Sequence, residues 1–153
     1  MLSFIAGSVW AHGDSKGSGE SAQPISAEEK AFGRAGDSGK VVRTINVDTR
    51  DEMKFLPNSL RVKRGDTVKF VVHNAGKVMH EMVLGTMEEL KAHAEMMRKH
   101  PGMEHDEPYM AHVAPGNTET FIWQFTRAGE FYYGCLIPGH FEAGMMGRIE
   151  VTQ

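Results

Sequence analysis

The run Gly134-Cys135-Leu136-Ile137-Pro138-Gly139-His140-Phe141-Glu142-Ala143-Gly144-Met145-Met146-Gly147 constrains this chain more than any other. It holds the only cysteine in the sequence, followed by a histidine and a methionine in the order Cys-x4-His-x4-Met. Pro138-Gly139 bends the run sharply between the cysteine and the histidine. A thiolate, an imidazole and a thioether on one short loop suit a soft, redox-active metal, copper above all. They do not complete such a centre, which takes two histidines, a cysteine and a weak axial methionine. A further histidine must come from upstream, so the fold has to bring a distant strand against this loop. A single cysteine also excludes an intramolecular disulfide framework. In an oxidising compartment a leftover thiol is a liability unless a metal holds it.

Cys-x-x-Pro-Gly-His-x4-Met resembles the copper loop of the cupredoxins, the small blue-copper proteins such as azurin, plastocyanin and rusticyanin, with a spacing closest to that of rusticyanin. The resemblance covers the chain from about Val41 to Thr152 with one insertion, and the whole motif is specific where a lone Cys or His is not. It implies one type 1 copper, with Cys135 as the strong thiolate ligand and His140 as a second ligand. It also implies His80 as the first copper histidine, since that residue opens a strand after the turn that follows a Val/Phe-rich strand. The rivals of His80 are His73, His93, His100, His105 and His112, of which His73 reads as a surface residue. Met145 and Met146 compete for the axial place. Met145 shares parity with Gly147, Ile149 and Val151, the apolar set of the closing strand, and so should face inward; the rusticyanin-like spacing agrees. In azurin and plastocyanin an Asn follows the first histidine and helps fix the cysteine loop. Here that residue is Glu81, a difference that bears on reduction potential and colour.

The rest of the chain reads as a sandwich. Val68, Phe70 and Val72 alternate with Lys69, Val71 and His73, and Phe121, Trp123 and Phe125 share one face of a strong strand over Thr118 to Phe125. Phe131, Tyr133 and Cys135 share parity on the next strand. His80, Met82 and Leu84 alternate with Met79, Glu81 and Val83, which gives no clean inward face. Roughly seven or eight short strands broken by Gly/Pro turns predict an all-β, antiparallel Greek-key sandwich, cupredoxin-like, over 41–153. One helical insertion, 86–112, interrupts it. Thr86-Met87-Glu88-Glu89 is a capping box, and Pro101-Gly102 ends the helix.

Ahead of this domain, 1–11 reads as part of a secretory signal peptide, with Val9 and Ala11 at the −3 and −1 positions for cleavage before His12. A terminal amine with its own imidazole at His12 would chelate Cu(II). Residues 12–40 read as a flexible leader, with a short helical turn at Ala27 to Phe32. The expected location is therefore the periplasm, and no stretch is long enough to span a membrane.

The sequence has 11 Met and 8 His. His93, Met96, Met97, His100, Met103, His105, Met110 and His112 all fall in the insertion, with His93, Met97 and His100 on one helix face. Two readings stand: a second, softer copper site or docking surface, and a helix that covers one end of the sandwich with Met as gap filler and His in water. A net charge of −3 and the absence of Lys/Arg runs argue against a nucleic-acid partner.

An enzyme such as a multicopper oxidase would place histidines beside the copper cysteine, whereas Cys135 lies between Gly134 and Leu136, in a single domain. A structural zinc site would not use a thioether. A Cys–His nucleophilic pair lacks an evident third, orienting group. The expectation is a copper protein with one-electron capacity that serves copper tolerance and is similar to the short periplasmic cupredoxins of copper resistance. The alternative is a dedicated respiratory electron carrier. A redox or copper-handling partner would dock on an apolar rim of Leu136, Ile137, Pro138 and Phe141 around His140, and the protein is expected to act as a monomer.

Overall fold

The computed structural model describes residues 28–103 and 105–153. The expected signal segment at 1–11, His12 and the first part of the leader lie outside them. The chain starts with two short strands, β1 (Glu29–Lys30) and β2 (Gly33–Ala35), and a 3₁₀ turn at Ser38–Lys40. Strands β3 (Arg43–Arg50), β4 (Lys54–Leu56), β5 (Ser59–Lys63), β6 (Thr67–Asn74) and β7 (His80–Gly85) follow. Helix α1 (Met87–Lys99) then leads to β8 (Met110–Val113), β9 (Thr118–Gln124), β10 (Gly129–Gly134) and β11 (Met146–Thr152).

These strands form the expected sandwich. One sheet has six strands in the order β1-β2-β9-β6-β3-β4, the other five in the order β5-β11-β10-β7-β8. The alternating residues read from the sequence meet in one core: Val68, Phe70 and Val72 from β6, Phe121 and Trp123 from β9, Phe131 and Tyr133 from β10, and Ile149 and Val151 from β11. The sheets are mixed rather than purely antiparallel. β3 runs parallel to β6 with Asn46 opposite Val71, and β5 runs parallel to β11 with Val62 opposite Val151. Alternation is blind to strand direction, because both pairings put every second side chain on the same face.

The leader expected through Lys40 needs correction. Within the described residues, 28–40 is built into the six-stranded sheet: Arg34 pairs with Gln124 and Ala35 with Trp123 on β9. The helical turn expected at Ala27 to Phe32 is a strand over Glu29–Lys30. Phe32 is buried and stacks on Trp123 at 5.1 Å, and the Trp123 Nε1–H donates to the Phe32 carbonyl at 2.9 Å. Burying a Phe side chain contributes about 1.5–3 kcal/mol, enough to hold a Gly/Ser/Glu-rich segment that has no periodicity of its own. Gly33 makes the approach feasible, since a Cβ there would lie 2.1 Å from the Gln124 carbonyl oxygen.

β7 is buried on both faces, which explains why its alternation was unreadable. Met82 and Leu84 enter the sandwich core, whereas Val83 joins Leu90, Ala94, Met97, Met110 and Leu136 in a second cluster under α1. The helix begins as the capping box predicts. The Thr86 Oγ1 accepts from the Glu89 N–H at 3.2 Å, and the Glu89 carboxylate accepts from the Thr86 N–H at 2.9 Å. Met97 and Met110 thus fill space between helix and sheet, as the covering-helix reading holds. His100 caps the helix in solvent.

Candidate metal centre

At one pole of the sandwich the residue that opens β7 meets the loop that joins β10 to β11. One donor atom each from His80, Cys135 and His140 lie within 4.8 Å of one another. Cys135 Sγ is 3.3 Å from His140 Nδ1. His80 and Cys135 are fully buried and His140 is half-buried. The backbone of the loop is tightly turned. His140 N–H donates to the Ile137 carbonyl at 2.9 Å, and Met145 N–H donates to the His140 carbonyl at 3.1 Å. Gly139 has φ +90°, a conformation that favours glycine. Gly134 admits the ring of Phe141, which a Cβ there would meet at 2.9 Å.

His80 and the loop that carries Cys135 are each fixed from behind. The His80 Nε2 lies 3.1 Å from Asp51 Oδ1. A carboxylate can only accept, so Nε2 carries the proton, and the Nδ1 lone pair is left buried without a hydrogen-bond partner among the described residues. A metal-ligating histidine is oriented in this way. Asp51 also accepts from the Lys77 N–H at 2.7 Å, and that bond is the main reason its carboxyl is held below the usual range. Gly76 leaves room for it: a Cβ there would sit 2.0 Å from Asp51 Oδ1. Asn74 completes the frame, donating to the Val78 and Val113 carbonyls at 2.8 Å each and accepting from the Gly76 N–H at 2.8 Å.

The cysteine loop is fixed by Glu81. Its carboxylate accepts from the Leu136 N–H at 2.9 Å, its own N–H points at Cys135 Sγ at 3.5 Å, and its second oxygen meets His112 Nδ1 at 3.0 Å. Glu81 is 2% exposed, and its carboxylate beside His112 pushes that imidazole up to about 9. The residue that departs from the Asn of azurin and plastocyanin therefore still ties the strand to the cysteine loop, and adds an ion pair.

The chemistry of the donor set fits a cation. Burial pushes the Cys135 thiol up to about 12, the reverse of what a nucleophilic cysteine needs. A coordinating metal deprotonates a thiol outright. Burial, then the neighbouring His80, lowers His140 below its ordinary range and keeps it in the neutral, ligating form. Met145 is fully buried in the same core as Cys135, and its carbonyl accepts from the Cys135 N–H at 3.1 Å; Met146 is half-buried.

Of the rival histidines, His73 sits on the outer face of β6 beside Asp48 at 3.3 Å. His93, His105 and His112 lie together within the insertion. Leu136 is not part of an exposed rim: it is 1% exposed and packs under α1. Met79, 47% exposed, takes its place and shares a surface depression with Ile137 and Pro138.

Two residues of the frame escaped sequence reading. Asp51 lies far from Lys77 and His80 in the chain, and only the parallel register of β3 on β6, with Thr49 opposite Asn74, brings them together. Asn74 reads as an ordinary turn residue until the carbonyls it bridges are known.

The plastocyanin/azurin family of copper-binding proteins matches the chain over residues 41–152. The chain is 51% identical over 120 residues to the copper-resistant cuproprotein CopI of Rubrivivax gelatinosus, spanning 78% of this chain and 73% of that protein. It is 33% identical over 162 residues to the copper-resistant cuproprotein CopI of Pseudomonas aeruginosa, spanning 87% and 89%. Among solved structures, auracyanin B superposes with a TM-score of 0.66 at 21% identity over 80% of this chain and 97% of its own. Reduced auracyanin from Roseiflexus castenholzii gives 0.63 at 19% identity over 74% and 99%. At such identities the likeness shows the fold alone.

Proposed function

The chain belongs to the plastocyanin/azurin family of copper-binding proteins, and from that membership we propose that it is a periplasmic type 1 copper protein that serves copper tolerance. The observation that carries this reading is the convergence of donor atoms from His80, Cys135 and His140 within 4.8 Å, together with a buried His80 Nδ1 that has no hydrogen-bond partner among the described residues. The residues that hold copper in this reading are His80, Cys135 and His140, with the Met145 thioether as the weak axial donor. Bound there, copper supplies a one-electron couple between Cu(I) and Cu(II). The chain's own part is to keep the donors in place through either state. Asp51 holds the His80 ring, Glu81 holds the cysteine loop, and the buried core excludes water from the thiolate.

The tolerance role is supported by the copper-resistant cuproproteins to which the chain is similar. Reaction chemistry on a substrate is not part of this reading. His140 is the half-exposed donor, and Met79, Ile137, Pro138 and Phe141 form the apolar surface beside it where a redox or copper-handling protein docks. No helix among the described residues is long and apolar enough to cross a membrane.

The test is growth of a copper-sensitive bacterial host that exports either the natural chain or Cys135→Ala, over a graded series of copper concentrations. The natural chain should raise the tolerated concentration and the variant should not. Equal growth of the two, with both proteins recovered from the periplasm, would reject the tolerance role and leave the dedicated electron carrier.

A further inference from the structure

A second group of histidines gathers where α1 faces the segment after it. His93 on α1 and His105 lie with ring centroids 4.5 Å apart, and His112 on β8 is 6.1 Å from His105. Their bonding separates them. His112 is used at both nitrogens, Nδ1 on the Glu81 carboxylate at 3.0 Å and Nε2 on the His105 carbonyl at 2.9 Å. It therefore has no lone pair to give, and serves to hold the His105 backbone in place. Among the described residues, His93 Nε2 and both ring nitrogens of His105 are shielded from solvent with no hydrogen-bond partner.

An unpartnered buried polar atom costs about 1–3 kcal/mol, and folded proteins keep few of them. Finding them on two facing imidazoles asks for a ligand, and the neutral imidazole is a preferred metal donor. His93 is held below its ordinary range, first by burial and then by His105, which maintains that neutral form. The softness of the surroundings narrows the metal. Met96 and Met103 line the same cavity of about 450 Å³ as the two histidines, and both are exposed, at 42% and 37%. Met97, by contrast, is spent in the core. Exposed thioethers beside unpaired imidazoles favour Cu(I) over harder divalent ions.

We propose that His93 and His105, assisted by the thioethers of Met96 and Met103, form a second copper site selective for Cu(I). It shares no donor with the thiolate centre and fills independently of it. The link between them is structural: the His105 carbonyl, His112 and Glu81 connect this site to the cysteine loop.

The test is an anaerobic titration of the purified full chain with Cu(I) against a chromophoric Cu(I) chelator. The natural protein should hold two equivalents. His93→Gln with His105→Gln should lose one of them and keep the intense thiolate band of the Cu(II)-loaded protein, which also reports that the variant is folded. Met96→Leu with Met103→Leu should keep both equivalents but yield the second at a lower chelator concentration. Cys135→Ala should still hold one Cu(I), which separates failure of this site from failure of the thiolate centre. Saturation of the natural protein at one equivalent, or a second equivalent that survives loss of both histidines, would overturn the proposal.

Discussion

The two histidine clusters of this molecule use much the same residue types and treat them oppositely. At the pole of the sandwich, His80 is completely buried, its ring is held by Asp51, and the loop that carries Cys135 and His140 is tied to Glu81. Within the insertion, His93 and His105 are partly exposed, and His93 Nε2 and both nitrogens of His105 have no partner among the described residues. The first arrangement is rigid before any metal arrives, as a centre that must serve two oxidation states with little rearrangement requires. The second sits on a helix and a loop beside the exposed Met96 and Met103, and as a proposed site would be able to adjust to an ion. Residue type nominates a ligand; the groups behind it decide whether the site is fixed or adaptable.

That contrast can be broken most severely at Cys135. Cys135→Ala, or His80→Ala, should abolish the intense visible band entirely and leave the copper capacity of the insertion as it was. The next largest effect falls on the pair that joins the clusters. Glu81→Ala leaves the buried Leu136 N–H and the His112 imidazolium without their acceptor. Urea unfolding of the metal-free protein should show a loss of about 2 kcal/mol. A null result would mean that the link between the clusters carries no stability. Asp51→Asn tests how much rigidity the ring of His80 needs. Copper affinity of the coloured centre should fall about tenfold in a competition titration, with no change at the insertion. The smallest effect sharpens the axial assignment. Met145→Leu should keep copper with an altered spectrum, and Met146→Leu should leave the spectrum unchanged; the opposite pattern would make Met146 the axial ligand.

Much of this was legible in the sequence because it is local. The Thr86–Glu89 capping box and the alternation of Val68, Phe70 and Val72 each lie within one element or its cap, and the structure has both; the Cys-x4-His-x4-Met run is likewise one short segment of the chain. Met145 falls on the inward parity of β11 for the same reason. The features that escaped are those that depend on pairing between distant segments. Asp51 reaches His80 only through the parallel register of β3 and β6. Residues 28–36 join the sheet because Phe32 finds Trp123, a contact no periodicity announces. The burial of β7 on its second face at Val83 depends on α1 lying over it. Glu81 departs from the Asn of azurin and plastocyanin in the sequence alone, but its tie to the cysteine loop depends on Leu136 and His112, which the fold brings to either side of it.

The most direct measurement is a Cu(II) titration of the metal-free protein followed by visible absorption and electron paramagnetic resonance. The first equivalent should produce an intense thiolate-to-copper band with narrow hyperfine splitting, and both should vanish in Cys135→Ala. A first equivalent that binds with only the weak colour and wide splitting of ordinary Cu(II), unchanged by that substitution, would contradict thiolate ligation of the copper.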